Sequence, residues 1–198
     1  MPEYLGYVFW HWPRLGTVRR TYERKLTAFQ DSLRAHAPDG LTEALSFRVR
    51  AVPWAPPRSQ VYEDWYLVRD FGSLGVLNDA AVAKPNKEPH DEVAGDATVG
   101  AGGVYKLRRG GLDLRDARFE TWMRKPAGTS YEAFYDRLSK LVSDRDTDLW
   151  RRQMVLGPAP EFCLHSESSP DLPKQFHPRS VRVQVVGRRL AESKRKEE

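Results

Sequence analysis

The sequence predicts an α+β chain in which one strand-turn-helix unit occurs twice. Trp10 is followed by Gly16-Thr17 and a helical pattern carrying Tyr22, Leu26 and Phe29. At an offset of 112 residues, Trp122 is followed by Gly128-Thr129 and a helical pattern carrying Phe134, Leu138 and Leu141. The constant offset spans a strand, a turn and a helix, which points to a duplicated unit. With 40% apolar and 11% aromatic residues, the chain can also bury a substantial core.

The elements follow in order. Tyr4 to Trp12 is rich in aromatic and β-branched residues, and Pro13 stops it, so it reads as a strand. Thr17 is placed to cap a helix in which Val18, Tyr22, Leu26, Phe29 and Leu33 recur at three- and four-residue spacing. Pro38-Asp39-Gly40 ends that helix. A second strand, Leu45 to Val52, alternates Leu45, Phe47, Val49 and Ala51 with Ser46, Arg48 and Arg50. The Pro-rich stretch 53–57 leads to a third strand, Val61 to Val68. Asp70 caps a short helix with Leu74, Leu77 and Ala81 on its buried side. Residues 84–102 read as a loop, and a fourth strand follows at Val104 to Arg108. This β-α-β-β-α-β order is the ferredoxin-like unit.

The second copy begins at Arg118. Its strand Phe119 to Arg124 leads to a helix opened by the capping box Thr129-x-x-Glu132. Strands follow near Trp150 to Leu156, Glu161 to His165 and Val181 to Val186. Ser166 to Ser180 contains three prolines and reads as a loop, so this copy lacks the second helix. The expected organisation is a first ferredoxin-like unit at 1–112, a degenerate second unit at 113–187 and a charged tail at 188–198.

The formal charge of +5 is weak evidence for a nucleic-acid partner, because five basic residues sit in the last twelve positions against three glutamates. Elsewhere the charges alternate in sign along predicted helices, as on a solvated surface. The single cysteine, Cys163, excludes an intrachain disulfide or a multi-cysteine metal site. The opening MPEYLGYVFW lacks the layout of a secretory signal, and no apolar window is long enough to span a membrane. A cytoplasmic protein without a membrane partner is expected.

Two ferredoxin-like units in one chain resemble the dimeric α/β-barrel superfamily, in which two such sheets pack face to face. The resemblance covers roughly residues 3–186 and rests on element order and the internal repeat. It implies antiparallel sheets packed as an α/β barrel within one chain. It also implies the range of that superfamily, which includes cofactor-independent monooxygenases, haem-degrading enzymes, chlorite-dismutase-like haem proteins, muconolactone isomerases and stress-response proteins. No active-site motif matches residue by residue, so no catalytic residue is carried over.

If the helix-facing side of each sheet is the apolar one, the opposite face is free for a ligand or a second sheet. Alternation then assigns Arg48 and Arg50 to that cleft face. In the second copy it assigns Arg118, Glu120, Trp122 and Arg124 to the cleft, with Phe119, Thr121 and Met123 towards the helices. The offset adds Trp10, with Val8 and Trp12 beside it. In the last strand Val181, Val183 and Val185 face the helices, and Arg182 and Gln184 face away. The third strand has Tyr62, Asp64 and Tyr66 on one face and Glu63, Trp65 and Leu67 on the other, with its phase open.

Arginines beside aromatic rings suit a flat or anionic molecule, so Trp10, Trp12, Arg48, Arg50, Trp122 and Arg124 are the binding candidates. The alternative is an inter-sheet interface of ion pairs and apolar arginine stems. His11 ends the first strand, where an antiparallel third strand would begin near Glu63 or Asp64. His11 and Asp64 are therefore the candidate catalytic pair, a base with its orienting carboxylate. The parity of His11 matches Tyr7 and Phe9 on the helix side, where a structural histidine is the alternative. Cys163 and His165 share a strand face, but a rise of about 6.5–7 Å over two residues argues for a buried, unreactive thiol.

No cofactor is favoured. Haem is the minor alternative, implied by resemblance alone, since the five histidines show no attachment motif. No metal is expected, because no His-x-His, His-x-x-x-His or dense carboxylate cluster stands at ligand spacing. Gly100-Ala101-Gly102-Gly103 precedes a strand and not a helix, which argues against a phosphate loop. The expected function is small-molecule binding, as an enzyme on an aromatic or anionic organic substrate, monooxygenase- or isomerase-like by resemblance. The alternatives are a non-catalytic module that forms homo-oligomers through an exposed strand, and single-stranded nucleic-acid binding on the sheet. Against the last, there is no RNP1-like segment.

Overall fold

The computed structural model describes residues 4–187 apart from 51, 58, 99, 112, 144, 155 and 156, so the predicted charged tail lies outside the described residues. Its strands are β1 (Leu5–His11), β2 (Leu41–Val49), β3 (Val61–Val68), β4 (Ala101–Gly110), β5 (Phe119–Met123), β6 (Thr147–Arg152), β7 (Phe162–Ser166) and β8 (Arg179–Val185). The helices are α1 (Arg19–Ala35), α2 (Phe71–Ala81), α3 (Lys87–Asp96) and α4 (Tyr131–Ser139).

The strands close into one antiparallel barrel in the order β1-β3-β2-β8-β5-β7-β6-β4. Two seams join its halves. At one, Phe47 to Val49 of β2 pair with Val185 to Val183 of β8. At the other, β4 pairs with β6 from Tyr105↔Arg152 to Gly110↔Asp148. Each of the eight strands has a partner on both sides, which leaves little open edge for the strand-mediated oligomerisation weighed above as an alternative.

The closed ring explains why some faces are reversed from the sequence reading. Inside a sealed barrel there is no water, so the interior is the more apolar side. Leu45, Phe47 and Val49 of β2 point inward, as do Val181, Val183 and Val185 of β8. Ser46 and Arg48 face out towards α1, bonding Gln30 and Glu23 respectively. The helix-facing side can remain mixed, because polar side chains there reach partners on the helices. The phase of β5 agrees with the sequence: Glu120 and Trp122 lie inside, and Met123 packs outside against the α4 layer.

Helix starts follow local chemistry with shifts of one residue. The N-cap of α1 is Val18, which makes no side-chain bond, and Gly16 at φ +88° turns the chain into it. The N-cap of α4 is Ser130, whose hydroxyl accepts from the Ala133 amide at 3.1 Å. Asp70 caps α2 as expected, accepting from the Ser73 amide at 2.7 Å. Helix α3 replaces much of the predicted 84–102 loop. It buries only Val93 from its own ten residues, so it carries almost no periodic signal. Tertiary bonds dock this region on α1: Lys25 to Asp96 at 2.7 Å, and Ser32 to Asn86 just before α3 at 2.7 Å. In the second half, the corresponding connection forms only a short turn at Lys174–Phe176.

Candidate functional site

The barrel interior, where the sequence placed a cleft, is filled. Trp10, Trp65, Trp122 and Trp150 are each at most 1% exposed. Trp10 meets Trp122 edge-on at 5.6 Å between ring centres, and Trp65 packs on Trp150 at 5.1 Å. Aromatic rings at such offsets close-pack the lumen and exclude solvent.

The open volume lies on the other side of the first sheet. A cavity of about 1010 Å³ is bounded by the outer face of β1 and β3 below and by α1, α2 and α3 above. The added helix α3 contributes His90, Val93 and Ala94 to its wall. Tyr7, Phe9 and Tyr66 form an aromatic floor, with Tyr7 stacked on Phe9 at 6.5 Å and on Tyr66 at 6.1 Å.

One end of that floor is polar. Antiparallel pairing sets Phe9 opposite Asp64 and His11 opposite Tyr62, which brings His11 and Asp64 together diagonally. His11 Nε2 lies 3.2 Å from Asp64 Oδ2, and His11 Nδ1 lies 2.6 Å from the Tyr22 hydroxyl. Asp64 also accepts from Ser46 Oγ at 2.5 Å and from the Tyr66 hydroxyl at 3.0 Å. Tyr22 is placed to donate to His11 Nδ1, while Nε2 faces the Asp64 carboxylate at 3.2 Å without an aligned hydrogen bond. Burial, reinforced by the Asp64 charge, pushes the Tyr22 and Tyr66 hydroxyls well above the ordinary phenol range. They therefore stay protonated and act as donors. The arrangement can take up a proton at His11 through Tyr22 and hold the resulting imidazolium against Asp64.

Of the sequence candidates, the structure joins His11 to Asp64 in the cavity wall and places Trp10 and Trp122 in the packed interior. Trp12 is half-buried just beyond β1, where its carbonyl accepts from Thr98. Arg48 lies on the outer face, paired with Glu23 at 3.1 Å and with Gln184. Arg50 and Arg124 are exposed, the latter near Trp54 and His177 at one mouth of the barrel. None of the three arginines lines the cavity: the phase of β2 turns Arg48 out towards α1, and Arg50 and Arg124 lie just beyond the ends of β2 and β5. The sequence reading did not pick out Tyr22, Ser46, Gln30 or Tyr66. Tyr22 was visible only as a core position of an amphipathic helix.

A second polar group lies inside the barrel. Glu63 on β3, Glu120 on β5 and His165 on β7 are fully buried, with donor atoms that all lie within 4.8 Å of one another. Glu63 accepts from the indoles of Trp10 and Trp65, each at 2.5 Å. His165 Nε2 is 3.1 Å from Glu120 Oε1. Burial, followed by the neighbouring Glu120 charge, raises Glu63 well above the carboxylate range. Burial lifts Glu120 to about 7 and lowers His165 to about 4, so the imidazole is neutral. Burial also raises the Cys163 thiol, consistent with an unreactive side chain.

The eight-stranded antiparallel barrel with its helices on the outside, here completed within one chain, is a fold seen in other solved structures. Solved structures of similar course include a candidate monooxygenase from Fusobacterium nucleatum subsp. nucleatum ATCC 25586, at TM-score 0.55 and 10% identity over 92% of both chains. A candidate chlorite dismutase matches at TM-score 0.53 and 11% identity, over 93% of this chain and 95% of its own. An anthrone oxidase-like protein matches at TM-score 0.52 and 9% identity over 96% of both chains. No protein-family model matches the sequence, and no curated protein matches it. At these identities the likeness is one of fold.

Haem does not fit the cavity wall. His11 Nδ1 is bonded to Tyr22 and its Nε2 is turned to Asp64, so this imidazole presents no outward nitrogen for an axial bond. Among the described residues no lysine or arginine lines the cavity to hold propionates. Nor is any described helix long and apolar enough to cross a membrane.

Proposed function

We propose that the chain is an enzyme that binds an uncharged aromatic molecule in the helix-side cavity and removes a proton from it. The observation that carries this reading is the Tyr22–His11–Asp64 chain set into the wall of a 1010 Å³, largely aromatic cavity. The substrate proton passes to the Tyr22 oxygen as the Tyr22 proton passes to His11 Nδ1. Asp64, oriented by Ser46 and Tyr66, stabilises the imidazolium. Proton loss next to a carbonyl or phenol opens both oxygenation and isomerisation, the two reaction classes the resemblance implies. The absence of cationic lining favours the aromatic over the anionic substrate class.

The same reading treats residues 1–112 and 113–187 as tandem ferredoxin-like units. The order β4-β1-β3-β2 in one half recurs as β8-β5-β7-β6 in the other, which supports it. A cytoplasmic setting belongs to this reading as well. The nucleic-acid alternative loses support because closure of the ring buries the sheet face that would have stacked bases.

The test uses anthrone and a small set of hydroxylated polycyclic aromatics. Saturable binding with the absorption band of the ligand anion is expected at a pH where the free ligand is neutral. Titrations with no saturable binding of any of them would sink the proposal.

A further inference from the structure

We infer that Glu63, Glu120 and His165 form a site for one divalent first-row transition-metal ion inside the barrel. The argument starts from placement. In the ring order, β3 belongs to one half, and β5 and β7 lie across the lumen in the other. Three polar side chains from those strands converge within an interior lined mostly by apolar and aromatic residues.

Two atoms of this cluster lack a hydrogen-bond partner: Glu120 Oε2 and His165 Nδ1, both on fully buried side chains. Leaving such groups unpaired in a dry interior is costly. A divalent ion would satisfy both carboxyl groups and balance their charge, while the neutral imidazole supplies nitrogen. The two indoles bonded to Glu63 fix that carboxylate as outer ligands do in built metal sites. Two carboxylates and one imidazole are a borderline donor set suited to zinc, iron(II) or manganese(II). Three donor groups in a closed, packed lumen do not suit calcium, which takes six to eight oxygens.

The ion would tie the two halves together across the lumen, a role separate from the helix-side cavity. It would be loaded during folding, because the site is sealed on every side by Trp10, Trp65, Phe47 and their neighbours.

The experiment is elemental analysis of the full chain expressed with supplemented zinc, manganese or iron, then dialysed against a chelator in the native state. About one ion per chain is expected to survive dialysis and to leave only when denaturant and chelator are combined. Refolding with the metal should then raise Tm by at least about 5 °C over refolding without it. Glu120→Gln and His165→Gln should lose the ion, whereas a His11→Met/Tyr22→Phe variant, altered only in the cavity, should keep it. The inference is overturned by metal contents below about a tenth of an ion per chain together with metal-independent refolding. It is also overturned if folded Glu120→Gln retains the full complement. If both interior variants fail to fold, the wild-type refolding comparison decides by itself.

Discussion

The two halves of the barrel share a strand order but treat their helix-facing walls in opposite ways. In the first half the wall is polar and partly open; in the second it is apolar and sealed. The 112-residue offset sets His11 against Met123 and Tyr22 against Phe134. The strand registers add a third contrast. Phe9 faces Asp64, whereas Thr121, which stands at the offset from Phe9, faces Leu164. The Tyr-His-Asp chain of one half is thus a Phe-Met-Leu cluster in the other. Around it Phe162, Phe176 and Leu138 complete a buried apolar layer. On the proposed reading one half carries chemistry and the other stability, and the missing second helix of the second half fits that division.

The contrast can be broken from either side. The largest effect is expected at Phe134→Ala, which empties a fully buried site between Phe162 and Phe176. It should cost about 3–5 kcal/mol in denaturant titrations, whereas Phe9→Ala, on the half-buried cavity floor, should cost at most about 1.5 kcal/mol. Equal costs would mean that the cavity is packed shut in solution.

Next comes Asp64→Leu, which imports the residue of the sealed wall into the open one. It leaves the Ser46 and Tyr66 hydroxyls without their acceptor, so a loss of about 2–3 kcal/mol is expected by chemical denaturation. The double variant His11→Met/Tyr22→Phe makes the same exchange with near conservation of volume and no orphaned partner in the pair. Its stability should stay within about 1.5 kcal/mol of wild type, while the bound-ligand anion band disappears. A persisting band would remove His11 from the proposed chemistry.

The smallest effect belongs to Arg48→Ala. Its ion pair with Glu23 is about a third exposed on one side and a quarter on the other. A change below about 1 kcal/mol with unaltered ligand binding is expected. A large loss of ligand affinity would restore arginine to the binding role the alternation had suggested.

Much of the architecture was legible in the chain. β3 runs from Val61 to Val68 as predicted, and the tryptophan-glycine-helix offset marked both halves. Both turn glycines of that offset adopt positive φ, Gly16 at +88° and Gly128 at +75°. Three things were hidden, each for a physical reason. α3 has too little apolar periodicity to announce itself. The faces of β2 and β8 were inverted because burial in a closed ring is harsher than burial beneath a helix. The Glu63-Glu120-His165 group comes from three strands on opposite sides of the lumen, so no spacing in sequence could record it. His11 and Asp64, by contrast, lie on paired strands, and antiparallel geometry alone brought them close.

The crowding of tryptophans in the lumen has a practical consequence. Trp10, Trp65, Trp122 and Trp150 lie inside the barrel, whereas the chromophores lining the cavity are tyrosines and phenylalanines. With Trp12 and Trp54 at its margins replaced by Phe, the other four of the six indoles should respond to events in the lumen. The signals of Tyr7, Tyr22 and Tyr66 should respond to occupancy of the cavity. The molecule thus contains two intrinsic optical reporters, one for each of its compartments, and requires no label to tell them apart.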